Sequence, residues 1–247
     1  MAQLQLGVAT IAADRRWVGL QLVAPEDSAD AVKYYDLHMR IVAELTDQGA
    51  KVPVALHAGE LTAQLVPPRE LGHHVADAVR IAGARRIGHG TDLPGEAGAD
   101  ALAAEMAAKG VLVEVNILSN AAILGVKPEE HPYAWLRKKG VPVALSTDDA
   151  GITRTELTQD YAAAVRNGAT YDDLKTAARN AIAYGFLGGE GLWSDPNVYR
   201  KPAAACAGQI GAETPKGACG DLVAKSDKAR EQWRHERLLK AFEAAHP

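Results

Sequence analysis

Three short segments carry the side chains best suited to chemistry: His57-Ala58-Gly59-Glu60, Arg86-Ile87-Gly88-His89-Gly90 and Ser146-Thr147-Asp148-Asp149. A neutral imidazole and an ionised carboxylate both bind a borderline cation such as Zn²⁺, so His57 and Asp148 read as two ligands of one ion. Glu60, three residues beyond His57, falls beside such an ion without ligating it, where it can shuttle a proton. His89 is placed to orient or deprotonate a water that the ion activates. A single histidine at the end of an apolar run is ordinary packing, but three such segments in succession form a pattern.

The elements that must position these groups are strands. Val52-Pro53-Val54-Ala55-Leu56 runs into His57, Arg86-Ile87 into His89, and Val141-Pro142-Val143-Ala144-Leu145 toward Asp148. Strand ends that deliver His and carboxylate to one face are how a parallel β/α barrel builds a site. Around them the chain alternates strand and helix. A strand over 17–23 precedes Ser28, which caps a helix with Tyr34, Leu37, Ile41, Val42 and Leu45 on its buried side. Helices are expected over 69–82 and 99–109, a strand over 111–117, and a helix from Pro132 to a stop at Gly140. Beyond Asp149 only helices are evident, over 156–166, 171–184 and 227–245, the last with Trp233, Leu238, Leu239 and Phe242 as a buried stripe. His73 and His74 fall on the 69–82 helix, where neighbours point about 100° apart and cannot converge on one ion, so they read as surface or partly packed residues.

Composition narrows the partners. At 247 residues and 47% hydrophobic the chain can bury a sizeable core, and it holds no apolar run long enough to span a bilayer. A net charge of -4, from 27 basic and 31 acidic residues, gives no reason to expect a nucleic-acid backbone. A small molecule is the expected partner, and oligomeric state is left open. No repeat, low-complexity tract or linker divides the chain, so one domain over 1–247 is expected.

The three segments resemble the signature segments of the adenosine and AMP deaminases, zinc aminohydrolases of the metal-dependent amidohydrolase superfamily with a TIM-barrel fold, and the resemblance runs from about Trp17 to the C-terminus. Ile123-Leu124-Gly125-Val126-Lys127-Pro128-Glu129-Glu130-His131-Pro132, Phe186-Leu187 with Leu192-Trp193, and Glu231-Gln232-Trp233 look most like the extracellular branch, the adenosine deaminase-related growth factors and their bacterial relatives. The resemblance implies hydrolytic deamination of adenosine to inosine and ammonia, with Zn as cofactor and a zinc-activated water attacking C6. It implies His57 and Asp148 at the metal, His89 orienting and deprotonating the water, Glu60 protonating N1 and Asp149 hydrogen-bonding N7. Ala24 stands where the family usually has a Gly whose backbone N–H meets the purine, and Gln21 where many relatives carry Asp. Ser119-Asn120 keeps part of a family segment and reads as hydrogen bonds that hold a strand end. The Cys-rich ligand motif of the cytidine-type deaminases is absent from the sequence. Two alternatives stand beside adenosine: another purine, such as AMP or adenine, and a non-catalytic barrel with a binding or signalling role. AMP would want a basic phosphate cluster near His57, His89 or Asp148, which the sequence does not place there, and the intact five-residue set argues against a silent barrel.

The expected fold class is α/β: a partial TIM (β/α)8 barrel with strands four to eight and C-terminal helices, the C-terminal portion of a single deaminase barrel domain. In the family a first strand carries a His-x-His pair that supplies two further zinc ligands, and no such pair occurs here. The chain is therefore expected to start downstream of that strand, to hold zinc weakly and to deaminate adenosine barely, with 17–23 as an open sheet edge. Cys206 and Cys219 sit in a Gly/Ala-rich stretch. They would be free thiols in a cytosolic protein, while loop placement and a thirteen-residue spacing suit a disulfide. Resemblance to the extracellular branch favours the disulfide and a periplasmic or secreted home over a cytoplasmic one.

Overall fold

The computed structural model of the chain describes residues 2–47 and 52–246. Its backbone contacts divide it into two compact units, Met1–Leu174 and Lys175–Pro247.

The first unit is organised by five parallel strands, β1 (Leu20–Leu22), β2 (Val54–Ala58), β3 (Arg86–His89), β4 (Leu112–Val115) and β5 (Val143–Leu145), hydrogen-bonded in chain order. A helix α1 (Ala2–Ala13) precedes β1. The crossovers are α2 (Ala29–Lys33) and α3 (Tyr35–Asp47), then α4 (His74–Arg80), α5 (Ala99–Lys109), and finally α6 (Ile117–Leu124) with α7 (Tyr133–Lys138). A short α8 (Ala150–Thr153) and α9 (Leu157–Arg166) follow β5. Parallel strands in chain order with helical crossovers are the winding of a (β/α)8 barrel, here partial. Helices cover the sheet, so its inner strands read as unbroken apolar runs: Ile87, Leu112, Val113 and Val115 are all fully buried. Each contributes roughly 1.5–3 kcal/mol by leaving water.

Several elements depart from the sequence reading for identifiable reasons. Only Leu20–Leu22 of the 17–23 segment pairs as strand, and Trp17 and Val18 are exposed. Helix α1 packs against β1 and α3, with Gly7 admitting Leu20 so closely that a Cβ would stand 2.8 Å from its Cδ1. Leu4, Leu6 and Val8 alternate with the period of a strand, which hides this helix in the sequence. The 28–45 helix breaks at Tyr34, the C-cap of α2. Ser28 does cap it, accepting from the Ala31 N–H at 3.3 Å. The break turns the buried face of α3 to Tyr35, Met39, Val42 and Thr46, leaving Tyr34 and Leu37 exposed. Ile117 opens α6 instead of extending β4, because Asp160 accepts the Leu118 N–H at 3.1 Å and satisfies the new helix start. The 69–82 helix begins only at His74, where the Glu96 carboxylate accepts the N–H groups of Val75 at 2.6 Å and Ala76 at 3.0 Å.

The helix α10 (Tyr171–Ala183) contains the division between units, and the second unit continues with α11 (Gly217–Lys225) and α12 (Asp227–Ala245). Its core joins Leu192, Val223, Ala229 and Trp233 to a disulfide between Cys206 and Cys219, whose Cα atoms lie 4.7 Å apart. The buried face of α12 is Ala229, Gln232, Trp233 and Glu236; of the expected stripe Trp233 is buried, while Leu238 and Phe242 are exposed. Polar residues occupy that face because each has a partner. Gln232 Oε1 accepts the Leu192 N–H at 2.6 Å, and Arg179 forks onto Glu236 with two bonds of 2.8 Å. Among the described residues no helix is long and apolar enough to cross a membrane.

Candidate active site

The register of β2 and β3 sets His57 opposite Gly88 and Ala58 opposite His89, which brings the two imidazoles to 4.7 Å between ring centroids. Beyond His57 the chain turns through Gly59 at φ +82°, where a Cβ would stand 2.5 Å from Asp92 Oδ1, so only glycine fits. Glu26 clamps that turn. Its Oε1 accepts the Gly59 N–H at 2.9 Å and its Oε2 the Glu60 N–H at 2.7 Å, while His74 Nδ1 reaches Oε1 at 2.5 Å. Tyr35 stacks on the His74 ring at 3.7 Å and donates its hydroxyl to the His74 carbonyl at 2.8 Å. His74 is thus fully buried and partnered, a correction to its reading as a surface or partly packed residue.

His89 and Asp148 both sit in the left-handed backbone region, at φ 72° and 55°. Such conformations cost about 1–3 kcal/mol each and persist only where surroundings enforce them. For His89 the enforcement comes from α6 and the residue before it: Asn120 Nδ2 lies 2.9 Å and Asn116 Nδ2 3.3 Å from its Nδ1. For Asp148 it comes from Ser119, whose hydroxyl donates to Oδ2 at 2.7 Å. One short helix therefore grips both strand ends.

Charge is arranged to hold a proton. Burial, then the carboxylates of Asp148 and Glu26, push Glu60 up to about 8, so its carboxyl is protonated at neutral pH. Burial and then His57 push His89 well down, so its imidazole is neutral. Glu26 goes the other way: burial pushes it up, but the His74 hydrogen bond and the Gly59 and Glu60 N–H groups outweigh that and hold it ionised. Glu60 Oε1 approaches His89 Nδ1 to 3.4 Å. His57, Glu60 and His89 each offer a ligand atom within 4.8 Å of the others, and among the described residues His57 Nδ1 is buried with no hydrogen-bond partner. That unpartnered nitrogen and the imidazole–carboxylate donor set fit a borderline cation. Asp148 stands outside this three-residue group, bonded to Ser119 yet near enough to raise Glu60. Asp149 is exposed, and it too raises Glu60. Ala24 and His57 border a cavity of about 510 Å³ that Glu26, Tyr35 and Leu56 also line.

The structure thus groups His57, Glu60 and His89 at the ends of β2 and β3, with Asp148 and Asp149, beyond β5, near enough for their charges to act on Glu60. Sequence reasoning missed Glu26, His74, Asn116 and His131. Glu26 and His74 had no visible signal beyond being ionisable groups next to apolar residues; their pairing spans 48 positions. His131 was available as a lone histidine ahead of a helix-opening Pro132.

The family model for adenosine deaminase matches residues 3–191, about three quarters of the chain. The chain belongs to the adenosine deaminase family. This member is 36% identical over 138 residues to an adenosine deaminase of Enterococcus faecalis, a match covering 55% of this chain and 37% of the relative. It is 34% identical over 141 residues to an adenine deaminase of Rhizobium rhizogenes, covering 56% of this chain and 40% of the relative. The chain thus spans less than half the length of these two curated relatives. Among solved structures, a zinc-bound amidohydrolase from Burkhoderia ambifaria superposes with a TM-score of 0.58 at 20% identity, over 76% of this chain and 49% of that one, a likeness of fold.

Proposed function

We propose that this chain carries the acid–base machinery of a hydrolytic deaminase acting on 6-aminopurines, adenine and adenosine first among them. The observation that carries the reading is Glu60, a carboxyl kept protonated at neutral pH beside two imidazoles and two carboxylates at strand ends. In the overall reaction water adds to C6, the C6–N bond breaks and ammonia leaves. Glu60 supplies its proton to a ring nitrogen, which makes C6 electrophilic. Neutral His89 orients the water, and exposed Asp149 hydrogen-bonds the purine. His57 and Asp148 are the residues we assign to zinc, which when bound lowers the pKa of water toward ~7. The zinc-bound amidohydrolase of like fold supports zinc as the metal. Relatives named for adenosine and for adenine support the wider purine class. Among the described residues, no Lys or Arg lines the cavity at Ala24 and His57, which favours a base or nucleoside over AMP. The disulfide supports a periplasmic or secreted home.

The test is ammonia release from adenosine, adenine and AMP by the zinc-supplemented chain. Release should be slow, rise with added zinc and fall roughly 10²–10⁴-fold in Glu60→Gln. Release from AMP alone would overturn the base-or-nucleoside assignment.

A further inference from the structure

His89 does not stand alone in the protein interior. Behind it runs a line of buried polar groups: Asn120 is fully buried, His131 2% exposed and Thr91 9% exposed. The line starts at a group whose role is fixed, because a backbone N–H can only donate. The Tyr133 N–H points at His131 Nδ1 at 3.2 Å. Nδ1 therefore carries a lone pair, and in the neutral ring the proton sits on Nε2. His131 Nε2 reaches Asn120 Oδ1 at 3.0 Å, and the Thr91 hydroxyl reaches the same oxygen at 2.8 Å. The His131 Nε2–H defines that atom as the amide oxygen, to which the Thr91 hydroxyl then also donates, so the amide NH₂ of Asn120 faces the other way, toward His89 Nδ1 at 2.9 Å. His89 Nδ1 is then an acceptor and its proton is on Nε2; Asn116 Nδ2, 3.3 Å from Nδ1 and 3.4 Å from Nε2, is nearly equidistant from the two and does not discriminate between them. The start of the line is itself anchored: Asn167 donates to the carbonyls of Pro128 at 2.7 Å and His131 at 3.0 Å, and accepts the Ala134 N–H at 2.9 Å.

We infer that His131 and Asn120 are positioning residues that lock His89 in its Nε2–H tautomer, so that it serves as a hydrogen-bond donor in the cleft and not as a proton acceptor or a metal ligand. The inference deepens the deaminase reading and rests on it for its catalytic meaning. It sharpens that reading, because a ring with Nδ1 engaged and Nε2 protonated orients water by donation and leaves proton transfer to Glu60. A tautomer held from outside the cleft is worth much to a histidine-based site, since the wrong tautomer presents a lone pair where a donor is needed.

The direct test is nitrogen-15 NMR of the ring atoms in histidine-labelled chain, at one fixed neutral pH and without zinc, with His89 assigned by its loss in His89→Asn. The wild-type ring should show Nε2–H. Asn120→Asp is isosteric but turns an oxygen toward Nδ1, and should invert His89 to Nδ1–H. His131→Phe removes the donor that orients the amide and should give a mixture, whereas His131→Gln keeps a donor and should restore Nε2–H. An Nδ1–H ring in the wild type, or an Asn120→Asp ring unchanged in a chain whose circular dichroism is native, overturns the inference. In purine turnover Asn120→Asp should lower kcat roughly 10²-fold with little change in KM. Absence of turnover in the wild type alongside an Nε2–H ring would sink the deaminase reading and leave the tautomer assignment standing.

Discussion

Removing the titration of Glu60 should change how stability depends on pH, without any substrate being present. In the folded chain the carboxyl is raised from 4.5 to about 8 by burial and by Asp148 and Glu26. A group raised on folding contributes stability that is fully present below about pH 4.5 and is lost as pH rises through about 8. The unscreened slope across that window is about 1.4 kcal/mol per pH unit. Glu60 is only partly buried, and solvent screening cuts the total to about 2–3 kcal/mol. For a chain of this length each kcal/mol moves Tm by about 2–4 °C, so the effect is about 4–12 °C. Glu60→Gln cannot ionise and should not lose it. Thermal melts of both proteins from pH 4 to 9 in chelator should show a Tm difference that grows in favour of Glu60→Gln as pH rises and levels off above about 8. Parallel curves would refute the reasoning, since they would mean that Glu60 titrates as in the unfolded chain.

Three further outcomes follow from single contacts. Ser119→Ala removes the hydroxyl on Asp148 and should weaken zinc binding roughly 10–100-fold by competition titration, if Asp148 is a ligand. Glu26→Ala leaves His74 and the Gly59 and Glu60 N–H groups unpartnered and should cost about 3–5 kcal/mol in urea unfolding. Replacing both cysteines with alanine opens a thirteen-residue span and should cost roughly 3 kcal/mol in the same assay, with the loss confined to the transition of Lys175–Pro247 if the two units unfold separately.

What could be read from residues alone was what local pattern determines. The strands into His57 and His89 end where the apolar runs end, and α5 spans Ala99–Lys109 between the turn-forming Gly98 and Gly110, as the glycines indicate. The resemblance located Glu60, Asp148 and Asp149, and the charges of the two aspartates act on Glu60. Phase was harder. The break at Tyr34 rotates α3, and the partners that bury Gln232 and Glu236 lie 40 and 57 positions away, so neither buried face is visible in periodicity. The same is true of the groups that hold the site: Glu26 meets His74 of α4 across 48 positions, and His131 folds back onto Asn120 of α6 across 11. His74 was set aside because adjacent helical histidines cannot share an ion, an argument that excludes a metal but not a buried carboxylate partner.

The central claim, a Glu60-centred deaminase site, is tested most directly by ammonia release from adenosine and adenine, measured beside zinc content in wild type and Glu60→Gln. The predicted result is slow, zinc-dependent release by the wild-type chain and a loss of at least roughly 10²-fold in Glu60→Gln with zinc still bound. Release that is indifferent to Glu60→Gln, or none from either purine by a folded, zinc-loaded wild-type chain, would contradict it.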